Sequence, residues 1–178
     1  MSVDALHLEA AFTFCKAIGI PIEWKAGVSG FVPGIRIEQG VILVDRGAKP
    51  GDLLHEAAHL AIMPSSFRSK ASTNLHQAFK SMMDCLNEHD PESAIAIAIM
   101  QCGDTEATAW SWAAGKACGI PDELIITDSS YDGVGAEIRT MLSLKGYLGI
   151  NGLSRAGFCR VRGDNAFPHM NKWMQDAS

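Results

Sequence analysis

Two histidines four residues apart, with a glutamate beside the first, are the side chains of this 178-residue chain best placed to do chemistry. They are His55, Glu56 and His59, within Asp52-Leu53-Leu54-His55-Glu56-Ala57-Ala58-His59-Leu60-Ala61-Ile62. On a helix, positions four apart lie one above the other. Both imidazoles then reach one metal ion, and Glu56 stands beside the open coordination position. Two neutral imidazoles, a carboxylate to take a proton from water, and room for substrate are what a hydrolytic zinc centre requires. With 6 His and 9 Glu in the chain, this H-E-x-x-H pattern arises by chance in about one such sequence in a hundred. The flanking residues are nearly all Leu, Ala or Ile, an apolar helix in which two imidazoles and a carboxylate are costly to bury without a purpose.

Catalytic zinc takes a third protein ligand. The choice from the residues is Glu106, in Gly103-Asp104-Thr105-Glu106-Ala107-Thr108-Ala109-Trp110-Ser111-Trp112-Ala113. Small residues on both sides of it let that helix approach the motif helix closely. An ordinary first-turn carboxylate, favoured by the helix dipole, is the competing account. Asp104 reads better as the N-cap of the same helix, and Cys102 as a small buried apolar residue. His76 and His89 sit among polar neighbours. A further histidine of the extended H-E-x-x-H-x-x-G-x-x-H kind is excluded, because Ile62 and Ser65 stand where its Gly and His would be.

These side chains need elements to hold them. Residues 3–18 read as an amphipathic helix with Leu6, Ala10, Phe14 and Ala17 or Ile18 on its apolar stripe and Gly19 as its stop. Ile20 to Trp24 alternates like a half-buried strand. Gly34–Glu38 and Val41–Asp45 flank Gln39-Gly40, the pattern of a short-turn hairpin. Asp52 reads as the cap of the motif helix, which would put His55 in its first turn. Further helices are expected around 71–88, after Asp90-Pro91, over Thr105–Cys118, around 134–147 and from Ala166, with a Gly-rich stretch before the last. Trp110 and Trp112 read as core.

The composition fits one domain over 1–178, helix-rich α+β, with a small antiparallel sheet ahead of the motif helix. Hydrophobic residues make up 47% and charged residues 20%, which is globular composition. A formal net charge of −5 and the lack of a Lys/Arg run argue against nucleic acid or an anionic membrane as partner. Five scattered cysteines without a C-x-x-C pair point to a reducing compartment. The first residues lack the basic and apolar regions of a signal peptide, and the longest apolar run is too short to cross a bilayer. A cytoplasmic protein is the expectation.

The order of parts resembles a gluzincin-type zincin, and within that group the small peptidases related to the ImmA/IrrE family, many of them carried by phages and mobile elements. The likeness covers about residues 1–118: a leading helix, a β-hairpin, Leu54-His55-Glu56-Ala57-Ala58-His59-Leu60, then a helix with Glu106-Ala107. Specific identity is confined to the two short motifs. The resemblance implies a zincin-like domain binding one Zn²⁺ through His55, His59 and Glu106, with Glu56 as general base and a protein or peptide as substrate. The gap from His59 to Glu106 is longer than usual for the group. No Asp follows Glu106 within a turn, and residues 120–178 match no pattern.

The expected reaction is hydrolysis of a peptide bond, with Glu56 taking a proton from water and passing it to the leaving amine. A peptide lying along Val41–Asp45 as an added strand would gain backbone hydrogen bonds. Tyr131 and His169 are the candidate donors to the developing oxyanion, with an ordinary surface position the competing and preferred account of each. The alternative reading is a metal-binding regulatory or interaction protein with the same fold and little or no proteolytic activity. An intact Glu56 argues against it.

Overall fold

Lys49-Pro50 decides where the motif helix begins. Proline has a preset helical φ and lacks the N–H that the first helical position leaves unsatisfied. Accordingly, in a computed structural model that describes residues 3–72 and 75–177, the motif helix runs Pro50–Ile62, with Lys49 as N-cap. Asp52 lies in its first turn and caps nothing, so His55 falls in the second turn and not, as the capping argument expected, in the first.

Ahead of it come helix α1 (Val3–Ala17) and strands β1 (Ile22–Trp24), β2 (Ile35–Glu38) and β3 (Val41–Val44). The hairpin expected from Gln39-Gly40 is present: β2 and β3 pair antiparallel, with Ile35 opposite Val44. Both turn residues have positive φ, 49° at Gln39 and 80° at Gly40. That is the primed turn whose twist suits a two-residue hairpin, and Gly adopts it without steric cost. The sheet as a whole is mixed rather than antiparallel. Its order is β1-β3-β2, and β1 runs parallel to β3 with Ile22 beside Ile42. The connection from β1 to β2 and the hairpin each reverse the chain, so β1 and β3 run in the same direction. β3 is therefore central, and the expected addition of a peptide strand along Val41–Asp45 is corrected: both of its edges are taken.

The motif helix is α2. After it come a 3₁₀ segment (Ser65–Lys70), α3 (His76–Leu86), α4 (Ala94–Met100), α5 (Asp104–Ala117), α6 (Asp122–Ile125), a distorted turn α7 (Ser130–Gly133), α8 (Gly135–Ser143) and α9 (Leu148–Arg155). Residues 73 and 74, part of the helix expected over 71–88, lie outside the described residues, as do residues 1, 2 and 178. Helix α4 starts after Asp90-Pro91, not at it. Asp90 instead accepts the Glu92 N–H at 2.8 Å in a local turn, and Ser93 caps α4 through the Ala96 N–H at 3.3 Å. Short polar side chains offer the backbone such alternatives to a helix.

One apolar core joins α1, the sheet, α2, α5 and α9. On α1 the buried stripe is Leu8, Ala11, Phe12 and Cys15, whereas Leu6 is exposed, a rotation from the expected stripe. The Gly-rich stretch is α9, and its glycines are contact points: a Cβ at Gly149 would lie 2.0 Å from the Thr105 carbonyl oxygen. Among the described residues, no helix forms after Ala166. The C-terminal segment instead straps the end of α2, with the Gln175 N–H donating to the Ala61 carbonyl at 2.7 Å and the Ser65 N–H to the Ala177 carbonyl at 3.0 Å. Trp110 and Trp112 are buried as expected, and Trp110 Nε1 donates to the Trp173 carbonyl at 3.1 Å. Among the described residues, no helix is long and apolar enough to cross a membrane.

Candidate metal centre

Helix α2 packs against α5, and both carry fully buried small side chains, among them Ala57, Ala58 and Ala61 on α2 and Ala107 and Ala114 on α5. Close approach of the two helices brings the second turn of α2 to the first turn of α5. There His55 Nε2 lies 3.1 Å from Asp104 Oδ1, and His59 Nε2 lies 3.7 Å from the same oxygen. The imidazoles meet edge to face with ring centroids 4.9 Å apart. One ligand atom from each of His55, His59 and Asp104 falls within 4.8 Å of the other two, a group able to hold a metal ion.

Glu106 is not brought into this group. It is buried, with Oε2 accepting from Thr105 Oγ1 at 2.9 Å and its carboxylate lying against α9, where a Cβ at Gly152 would come 2.1 Å from Oε1. The reason is helical geometry. Residues two apart on a helix point about 200° apart, so Asp104 and Glu106 cannot both face α2. Nor is Asp104 a cap: the N-cap is Gly103 and Asp104 is the first residue of the helix. The signal that points to Asp104 in the sequence is that Gly103 can itself serve as N-cap, which frees the Asp side chain. Cys102 is not in this group either: it is buried, and its Sγ donates to the Ile99 carbonyl at 3.0 Å.

The electrostatics suit a cation. Burial, reinforced by the neighbouring His55 charge, lowers His59 to about 4, so this imidazole is neutral at ordinary pH and free to ligate. Its Nδ1 has no hydrogen-bond partner among the described residues although it is buried. The hydrogen bond from His55 holds the Asp104 carboxyl below the usual carboxylate range. Burial raises Glu56, against the opposing pull of His55, and raises Asp52 likewise. Two imidazole nitrogens and one carboxylate oxygen, with no fourth ligand in the group among the described residues, make a donor set that fits zinc in an open site.

A cleft of about 940 Å³ opens over the group. Asp52, His55, Glu56 and His59 of α2 form one wall and Asp104 the facing one, with Phe31 and Val32 at one side and Tyr131 at another. His76 lines it too; His169 does not, and is exposed. Tyr131 is aimed inward by unusual backbone: φ is 55° at Tyr131 and 58° at Asp132, the left-handed region that costs a non-Gly residue about 1–3 kcal/mol. Its hydroxyl lies 3.2 Å from His55 Nδ1, on the side of the ring away from Asp104. Tyr131 is thus a half-buried residue of the cleft rather than the ordinary surface residue that the sequence favours.

Comparison with protein-family models, with curated proteins and with solved structures finds no match for this chain.

Proposed function

We propose that this α+β domain is zincin-like and acts as a zinc-dependent hydrolase, a metallopeptidase with Glu56 as general base. The observation that carries this reading is the convergence of one ligand atom from each of His55, His59 and Asp104 within 4.8 Å of one another, in the cleft that Glu56 also lines. His55, His59 and Asp104 would hold the zinc, which when bound supplies the Lewis acidity that acidifies water and polarises a carbonyl.

The chain's own residues do the rest. Glu56 sits one residue from His55 on the cleft side of α2. Burial holds its carboxyl above the ordinary range, so its carboxylate is a stronger base toward a water proton than an exposed one. The same carboxyl then hands the proton to the departing nitrogen. Phe31, Val32, Leu75 and Ile125 give the cleft apolar walls, which favours a peptide with apolar side chains beside the scissile bond. A substrate seated between these walls displaces water, which strengthens each polar interaction within.

The test is metal content together with hydrolysis. Protein equilibrated with zinc is expected to retain about one ion per chain and to cleave members of a mixed peptide library followed by mass spectrometry. Glu56→Gln is expected to keep the zinc and to lose cleavage by about 10²-fold or more. Full activity in Glu56→Gln sinks the general-base assignment. A protein that retains no zinc sinks the centre itself.

A further inference from the structure

A chain of hydrogen bonds runs from the back of His55 into the first turn of α5. His55 Nδ1 lies 3.2 Å from the Tyr131 hydroxyl. That hydroxyl lies 2.9 Å from Thr108 Oγ1, and Thr108 Oγ1 donates to the main-chain carbonyl of Asp104 at 2.9 Å. The last contact sets the direction of the whole chain. A carbonyl oxygen only accepts, so Thr108 spends its single proton there and offers its neighbours lone pairs alone. Tyr131 must then be the donor toward Thr108. What Tyr131 presents to His55 is an oxygen lone pair.

We propose that Tyr131 is the positioning residue that holds His55 as its Nδ1–H tautomer, leaving Nε2 bare and aimed at the metal centre. His55 Nε2 and Asp104 Oδ1 are then two electron-pair donors 3.1 Å apart. Such an approach is favourable with a proton shared between them, as in the hydrogen bond from His55 to Asp104, or with a zinc ion in its place. Helix α5 thus supplies a ligand, Asp104, and one turn later the anchor, Thr108, of the chain that orients the other ligand. The left-handed backbone at Tyr131 and Asp132, followed by Gly133 at φ 91°, is what turns the phenol inward to reach both partners. The metal-centre part of this inference rests on the zinc reading above; the tautomer does not.

Two measurements test it on the full-length protein. The first is the side-chain ¹⁵N shifts of His55 in metal-free protein, which report which ring nitrogen carries the proton. A proton on Nδ1 is expected; a neutral ring protonated only at Nε2 overturns the proposal. The second is zinc affinity by competition with a chromophoric chelator. Tyr131→Phe is expected to weaken zinc binding about 10- to 100-fold, the usual effect of losing a ligand's hydrogen-bonded support. Thr108→Val should weaken it as well, while Thr108→Ser, which keeps the hydroxyl, should not. Zinc bound as tightly by Tyr131→Phe as by the original protein overturns the proposal, and if that variant fails to fold, the Thr108 pair decides. A purely structural role would lower the melting temperature of these variants without moving the His55 nitrogen shifts. If the unsubstituted protein binds no zinc, the metallopeptidase reading fails, and the His55 shifts still decide the role of Tyr131.

Discussion

His55 and Asp104 are 49 residues apart in the chain and 3.1 Å apart in space. The contact joins the second turn of one helix to the first residue of another. It makes Asp104, and not Glu106, the carboxylate beside the two imidazoles. Asp104→Ala is therefore expected to weaken zinc binding by more than the roughly 10- to 100-fold that follows loss of a supporting contact. Glu106→Ala should leave zinc stoichiometry unchanged. Titration with a chromophoric competitor measures both. Normal zinc affinity in Asp104→Ala with zinc lost from Glu106→Ala would return the third ligand to Glu106.

Acid should destabilise the metal-free protein through His59. Burial lowers this imidazole from 6.5 to about 4 in the folded chain. Between those values the unfolded chain binds a proton that the native one does not, so native stability rises with pH across the window and levels off above it. The full effect is about 3 kcal/mol. Glu56 and Asp52, whose carboxyls are raised by burial, act in the opposite direction near the acid end. Urea denaturation of the protein beside His59→Gln isolates the histidine. The advantage of the native residue should grow from pH 4 to pH 6.5, and a shrinking advantage contradicts the assignment.

Gly152 makes room for the buried carboxylate of Glu106, from which an added Cβ would stand 2.1 Å. Gly152→Ala should cost about 1–3 kcal/mol, as overpacking does. Removing the carboxylate relieves the collision, so Gly152→Ala with Glu106→Ala should be less destabilised than the two single effects summed, by about 0.5 kcal/mol or more. Strict additivity would show that the two side chains do not share this space.

Arg68 fastens the C-terminal segment to the end of the motif helix. Its Nε donates to the Leu60 carbonyl at 3.0 Å and the Met63 carbonyl at 3.2 Å, and its Nη2 donates to the Gln175 carbonyl. Arg68→Ala should lower stability by about 2 kcal/mol. It should also speed proteolytic trimming of residues 171–177, read by mass spectrometry. Trimming at the original rate would mean that the strap is held by other contacts.

Local pattern made a large part of this protein legible. The four-residue spacing of His55 and His59 on an apolar helix, the Gln39-Gly40 turn, and the small residues of α5 each depend on a few neighbouring residues and their backbone preferences. These features are present where the sequence indicates. Element boundaries were harder to read, because several local options compete. Asp90 can start a helix or close a turn, and Lys49-Pro50 and Asp52 each offer a helix start.

What the sequence by itself determined is the chemistry carried by α2: two imidazoles and a carboxylate on one helix face, a relation fixed within a single helical turn. What only the tertiary structure decided is everything that depends on how one element is rotated against another. Each step along a helix turns the side chain by about 100°, so the rotation of α5 against α2 selects Asp104 over Glu106. The same kind of rotation selects Leu8 and Phe12 over Leu6 as the buried face of α1. Packing against α5 makes a helix of a glycine-rich stretch, and the left-handed turn at Tyr131 carries a loop residue to the back of His55. None of these is written in a local period, because each is settled by the fit of surfaces far apart in the chain.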